Sequence, residues 1–316
     1  MLNRILLWGQ RRIEKGAWMF APIGLIWGLV SVIRNQLYDL RWLSVTKVQC
    51  PVVSVGNLVA GGTGKTPLVI LLASKFKDKK VAILTRGYKT KDEPKLIANR
   101  LENARVYVGK NRVKLAQQAC HEGAKIIILD DGFQHRQLYR DFDLVLLHGS
   151  DPFGKGHYLP WGFLRDHPRR LSQADAIFIN SSKQKTPYIH LDIQVESISN
   201  GEQTIDSIQG KKVAIFCGIA KPHLFKRTVE NLGAIVVDEW ILADHEKPQK
   251  LHEFAIHAKR MGADSLICTE KDFVKITGHF ALPIHFIKIS LVVTSNAQQW
   301  ENLIAKITQK IDNLVL

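Results

Sequence analysis

The stretch "SVGNLVAGGTGKTP", Ser54 to Pro67, constrains the fold more than any other part of the chain. An apolar run, "CPVVSV", breaks into a glycine-rich turn, and "LVILLASKF" follows at helical spacing. A strand delivered through such a turn into a helix points several backbone N–H groups, and the positive end of the helix dipole, at one spot. That arrangement suits the phosphates of a nucleotide. Gly61, Gly62, Thr63 and Gly64 would form the cradle, Lys65 would reach the β/γ-phosphates and Thr66 would ligate magnesium. The usual spacing is G-x-x-x-x-G-K-[ST]; Val59 stands at its first glycine, and Gly61 and Gly62 supply the flexibility instead. An ordinary glycine-rich turn is the plain alternative, and the strand–turn–helix context favours ATP with Mg2+.

Around this loop the chain alternates buried strands with helical patterns. "KKVAILTRGY" reads as a strand ending at Arg86, "ARVYVG" as the next, then a helix through "NRVKLAQQACHEG". "AKIIILDDGFQ", "FDLVLLHG" and "ADAIFINS" add three more strands. The pattern predicts an α/β fold: a P-loop NTPase-like, mostly parallel sheet with helices on both faces. Ligands of such sheets sit at the carboxyl ends of the strands, where Gly61, Arg86 and Asp130 fall. From about Thr186 the texture changes to apolar–polar alternation around Asn200-Gly201, a hairpin signal. The α/β pattern then resumes and closes with an amphipathic helix from about Ala297 to Ile311. The expected organisation is an N-terminal helical segment (1–44), a P-loop core (45–185), a β-hairpin connector (186–209) and a smaller α/β C-terminal lobe (210–316).

Residues 16–33 carry no charge and include Trp18, Trp27 and Pro22. This is the low end of a membrane-spanning length, with tryptophans placed as interface anchors. Arg11, Arg12 and Lys15 precede it, and Arg34 and Arg41 follow it. Basic flanks on both sides set no direction across a bilayer and suit a helix held at a membrane face by anionic headgroups. A buried core helix is the alternative, and a cleaved signal peptide is disfavoured for want of a small-residue cleavage site. The 44 Lys and Arg against 29 Asp and Glu, a net charge of +15, call for an anionic partner: nucleic acid, an acidic membrane surface or a phosphorylated substrate. Cys50, Cys120, Cys217 and Cys268 lie far apart without C-x-x-C spacing, and read as buried free thiols in a reducing compartment.

A P-loop nucleotide needs a carboxylate at the end of a neighbouring buried strand, and Asp130 and Asp131 stand directly after "KIIIL". Either could serve the metal. Gln134 and His135 follow within "DDGFQHR" as further candidates at the nucleotide. Phosphoryl transfer to an alcohol also needs a group to orient, or deprotonate, the hydroxyl. "KDEP" (Asp92, Glu93) and "ADHE" (Asp244, His245) are the candidates, each weak alone because acidic loops and exposed histidines are common. Arg165 in "LRDHPRR" is a phosphate clamp or a solvated surface residue.

In that order these pieces resemble the tetraacyldisaccharide 4'-kinases, the lipid A 4'-kinases of Gram-negative bacteria. The similar elements are "SVGNLVAGGTGKTP", "TRGY", "DEP", "ILDDGFQHRQLYRDFDLVLL", "LPWGFLRDHP", "FCGIAKPHLF", "ADH" and "TEKDFVKI", with the apolar N-terminus ending in "RNQLYD". The resemblance implies a P-loop lobe, a smaller C-terminal lobe joined by a β-ribbon, and an N-terminal helix on the cytoplasmic face of the inner membrane. It implies transfer of the ATP γ-phosphate to the 4'-hydroxyl of tetraacyldisaccharide 1-phosphate, giving lipid IVA. By matching position, Asp92 and His245 would be the dyad that activates the hydroxyl, brought together as the lobes close. Lys65 would serve the phosphates, Thr66, Asp130 and Asp131 the metal, and Glu93 would be a neighbour on the metal or nucleotide side. Lys91 replaces the family's usual glycine before Asp92, and Asp166-His167 stands where Glu-Pro is common. The expected partners are the lipid disaccharide and an anionic membrane surface, without nucleic acid, for a protein acting as a monomer.

Two rival classes share some of these features. A membrane-associated P-loop ATPase of partitioning or targeting type explains the loop, the aspartates and the charge, but leaves "ADH" and "TEKD" unused. A soluble P-loop ligase or kinase of cofactor synthesis leaves the uncharged N-terminal run unused.

Overall fold

The computed structural model describes residues 18–87, 92–182, 184–244 and 246–313. They group into two compact units, one of residues 18–87, 97–193 and 291–313, the other of residues 92–96 and 194–290.

The first unit is built on β1 (Val52–Gly56), β2 (Val81–Thr85), β3 (Ala104–Val108), β4 (Ile126–Asp130), β5 (Phe142–His148), β6 (Ala176–Asn180) and the start of β7 (Ile189–Ser199). Their order is β7-β6-β5-β1-β4-β2-β3, and every pair is parallel. β1, β2 and β4 are buried at every position, because helices cover both faces. Val53, Val55, Ile83 and Ile128 pack toward the helix after the glycine loop and toward the C-terminal helix, through Leu68, Leu72, Trp300 and Ile307. Val52, Leu84, Ile127 and Leu129 pack on the opposite face against Ala116 and Ala119. Alternate residues of one strand thus serve two cores.

The helix α1 (Ala21–Asp39) follows a 3-10 turn at Trp18–Phe20, and together they are long and apolar enough to cross a membrane. Gly24, Gly28, Ser31 and Asn35, three or four residues apart, form its buried face. Gly28 lies so close to the Tyr158 ring that a Cβ there would come within 2.5 Å of it. Ile23, Leu25, Ile26, Trp27, Leu29, Val30 and Ile33 are exposed.

In the second unit β9 (Lys212–Cys217), β10 (Ile235–Ile241), β11 (Ser265–Thr269) and β12 (Ile284–Ser295) pair in parallel, in the order β10-β9-β11-β12. Val213, Ile215 and Cys217 face one core, and Ala214 and Phe216 the other. The hairpin expected at Asn200-Gly201 is present: β7 pairs antiparallel with β8 (Thr204–Ile205), and Asn200 Oδ1 accepts hydrogen bonds from the Glu202 and Gln203 amides. β7 and β12 each have one end in either unit.

The cysteines depart from the expectation of four separate thiols. Cys217 and Cys268 are buried and free, but Cys50 and Cys120 are paired, with Cα atoms 5.9 Å apart. Cys50 precedes β1 and Cys120 lies on the helix Arg112–His121, and their separation of 70 residues hid this contact from the sequence.

Candidate active site

β1 ends at Gly56, and the chain turns through residues 57–64 into α2 (Lys65–Ser74). Gly61 and Gly64 have φ of +115° and +95°, the left-handed region that glycine enters without penalty. Nothing lies within 4 Å of the place a Gly61 Cβ would occupy, so the loop leaves room above its backbone. Asn57 Nδ2 donates to Thr63 Oγ1 (3.0 Å) and Asn180 Nδ2 to the Thr63 carbonyl (3.3 Å), which hold the turn from two strand ends. Thr66 is buried in the first turn of α2.

β4 lies beside β1 with Asp130 in register with Val55. This brings the carboxyl end of β4 to the same sheet edge as the loop. Asp130 is buried and accepts from Thr85 Oγ1 (3.2 Å), while its carbonyl accepts from Arg112 Nη1 (3.0 Å). Asp131 has φ of 55°, an uncommon conformation outside glycine that tends to occur at functional sites. Its carboxylate lies 3.5 Å from Lys65 Nζ and 2.8 Å from Arg165 Nη1. Burial works to raise its pKa, but Lys65, Arg165 and Arg112 outweigh that and pull it down to about 2. Arg165, either clamp or surface residue by sequence, therefore belongs to the site.

Gln134 Nε2 donates to the Asn57 carbonyl (2.8 Å), tying the "DDGFQHR" loop to the glycine loop. His135 is pushed down to about 4 by burial and by Arg112, Arg140 and Arg34, so it is neutral at physiological pH. Arg86 is exposed just beyond β2. Thr66, Asp130 and Asp131 are oxygen donors of the kind Mg2+ takes, one or two carboxylates with substrate phosphates and water completing the shell. Among the described residues no group of three or more His, Cys, Asp or Glu is placed to hold a metal ion.

The other candidates lie in the second unit. Asp92, read by sequence as a loop residue, is the first residue of α3 (Asp92–Arg100) and is 1% exposed. Glu93, expected on the metal or nucleotide side, lies 3.5 Å from Lys271 Nζ, and the same nitrogen lies 2.9 Å from Asp244 Oδ1. Burial disfavours the charge on Lys271, but Asp244 and Glu93 outweigh it and raise its pKa above the lysine range. Glu93 and Asp244, about 150 residues apart in the chain, thus meet at one lysine. His245 and residues 88–91 lie outside the described residues.

Sequence reasoning missed Arg112 and Lys275, and Asn57 was quoted only as part of the loop. Arg112 carried no signal beyond opening a helix, whereas Lys275 lay in "TEKDFVKI" without an assigned task.

A parallel sheet with a lysine-bearing phosphate loop on one strand and paired aspartates on its neighbour defines a P-loop nucleoside-triphosphate enzyme, and the buried Asp92 of "DEP" suits a phosphotransferase. The family model for tetraacyldisaccharide-1-P 4'-kinase, LpxK, matches residues 16–311. The tetraacyldisaccharide 4'-kinase of Chlamydia abortus is 33% identical over 99% of this chain and 93% of its own, and that of Halothermothrix orenii 33% identical over 80% and 81%. The crystal structure of LpxK from Aquifex aeolicus in complex with ATP superposes with a TM-score of 0.74 at 27% identity, over 97% of this chain and 99% of that one. The chain belongs to the tetraacyldisaccharide 4'-kinase family. It is an ATP- and Mg2+-dependent kinase of lipid A biosynthesis, and the partitioning-ATPase reading is not favoured.

Proposed function

We propose that this enzyme transfers the γ-phosphate of ATP to the 4'-hydroxyl of tetraacyldisaccharide 1-phosphate, giving lipid IVA. The nucleotide phosphates sit on Gly61–Thr66, with Lys65 on the β/γ-phosphates. Mg2+ would be held by Thr66 with Asp130 and Asp131, and when bound it neutralises charge on the phosphates. Arg165 fixes Asp131 and leaves Lys65 shared between that carboxylate and the phosphates. Arg86, Gln134 and His135 line the nucleotide side, His135 as a neutral hydrogen-bonding group.

Asp92 takes the proton of the 4'-hydroxyl as the new O–P bond forms and the bond to ADP breaks, and His245 orients Asp92 or raises its basicity. The transition state of such a transfer is loose, so positioning and charge stabilisation matter more than base strength. The exposed apolar face of α1 lies on the cytoplasmic face of the inner membrane, where the acceptor is, while its other face stays on the protein. The enzyme acts as a monomer.

The observation that carries this reading is the register of β1 and β4, which puts Lys65 within 3.5 Å of Asp131 at one sheet edge. Transfer of labelled γ-phosphate from ATP to tetraacyldisaccharide 1-phosphate in mixed micelles tests it. Label in the lipid with the wild type but not with Lys65→Ala supports the assignment; unchanged labelling in the variant refutes it.

A further inference from the structure

We propose that Lys275 is a positioning residue for Asp92, and that the "TEKDFVK" segment exists to hold the acidic end of α3. This rests on the reading of Asp92 as the acceptor of the hydroxyl proton. Lys271 and Lys275 are four residues apart and reach consecutive acids: Lys271 the exposed-side Glu93, Lys275 the buried Asp92, 3.9 Å from Nζ to Oδ2. The Lys275 side chain is 2% exposed and Asp272 is fully buried, so both charges have left water and need partners.

Asp272 is held by two hydrogen bonds and an ion pair. Its Oδ2 accepts from the Gly218 amide (2.9 Å) and Thr269 Oγ1 (2.6 Å), and its Oδ1 lies 2.6 Å from Lys275 Nζ. Lys275 also donates to the Glu246 carbonyl (3.0 Å). The lysine is therefore a fixed charge, anchored by β11's end and by the loop carrying Glu246, and Asp92 is the acid it faces across an ion-pair distance. Misplacing a reacting group by an ångström costs about 10²-fold in rate, so the lysine's effect belongs in kcat rather than in nucleotide affinity.

The test is a double-mutant cycle on purified full-length enzyme, with kcat and both KM values measured for wild type, K275M, K275R, D92N and K275M/D92N. Lys275→Met is expected to lower kcat by about 10²-fold with the KM for ATP changed less than about twofold, and Lys275→Arg to recover most of it. In the Asp92→Asn background Lys275→Met should cost almost nothing more, because the lysine acts through that carboxylate. An equal loss in both backgrounds overturns the proposal, as does a loss confined to KM for ATP. Normal turnover in Asp92→Asn would instead refute the underlying role of Asp92. If Lys275→Met does not fold, D272N/K275M removes the buried pair together, and the same kcat loss, absent in the Asp92→Asn background, is expected.

Discussion

Arg165 and Asp166 adjoin in the chain and hold different parts of the first unit. The Arg165 guanidinium lies 2.8 Å from Asp131 beside the phosphate loop. The Asp166 carboxylate, fully buried, accepts from Ser31 Oγ (3.1 Å) and Asn35 Nδ2 (2.7 Å) of α1 and pairs with Arg170. The apolar helix and the loop bearing Asp131 are therefore held by one dipeptide. Arg136 adds a second tie, donating to the Asn35 carbonyl and to Asp39.

Asp166→Ala should destabilise the protein by about 3–5 kcal/mol, since it leaves the Arg170 charge buried without its partner. Asp166→Asn, which keeps an acceptor for Ser31 and Asn35, should cost less. Denaturant unfolding in detergent measures both; equal midpoints for Asp166→Ala and wild type would contradict the role of this anchor.

Gly56→Ala should disturb the site through its neighbour. A Cβ at Gly56 would lie 2.5 Å from Phe133 Cβ and 2.7 Å from the Phe133 amide nitrogen, so the loop bearing Asp131 must move. About 1–3 kcal/mol of stability should be lost, together with most of kcat. Lipid phosphorylation and thermal unfolding on the same preparation report the two effects.

His135 makes stability depend on pH in a defined window. Its pKa falls from 6.5 to about 4 on folding, so between those values the unfolded chain binds more protons and stability rises with pH. The contribution is on the order of 1–2 kcal/mol once partial exposure is allowed for, and it is lost as pH falls through the window. His135→Gln should flatten the stability curve between about pH 4 and 6.5; a curve unchanged there would show that the imidazole titrates alike in both states.

Lys65→Ala should lower kcat by about 10²–10³-fold, the scale for removing one charge stabiliser from a transition state. Binding of ATP should fall less than turnover. Single-turnover labelling separates the two, and a variant weakened only in KM would move Lys65 from transition-state stabilisation to simple binding.

Ile26→Glu and Trp27→Glu place charge on the exposed face of α1, away from Gly24, Gly28, Ser31 and Asn35. Both should reduce sedimentation with vesicles of anionic phospholipid while leaving the unfolding midpoint unchanged. Retained vesicle binding would mean that another surface carries the attachment.

The local pieces of this protein are legible in its residues. The glycine turn, its lysine and threonine, the strand that ends in paired aspartates and the uncharged N-terminal run each follow from residue type and spacing, because strand, turn and helix periods are short-range properties. The parallel sheet followed too, since alternating strands and helices admit few other layouts. The tertiary structure decided what depends on packing between distant segments. It made Arg165 a partner of Asp131 and made one lysine join Glu93 to Asp244, which sequence spacing alone does not reveal. It buried Asp92 at a helix start beside Lys275, and it paired Cys50 with Cys120. A lone charge in a sequence reads as solvated. Only burial forces it to find a partner, and burial is a property of the whole fold.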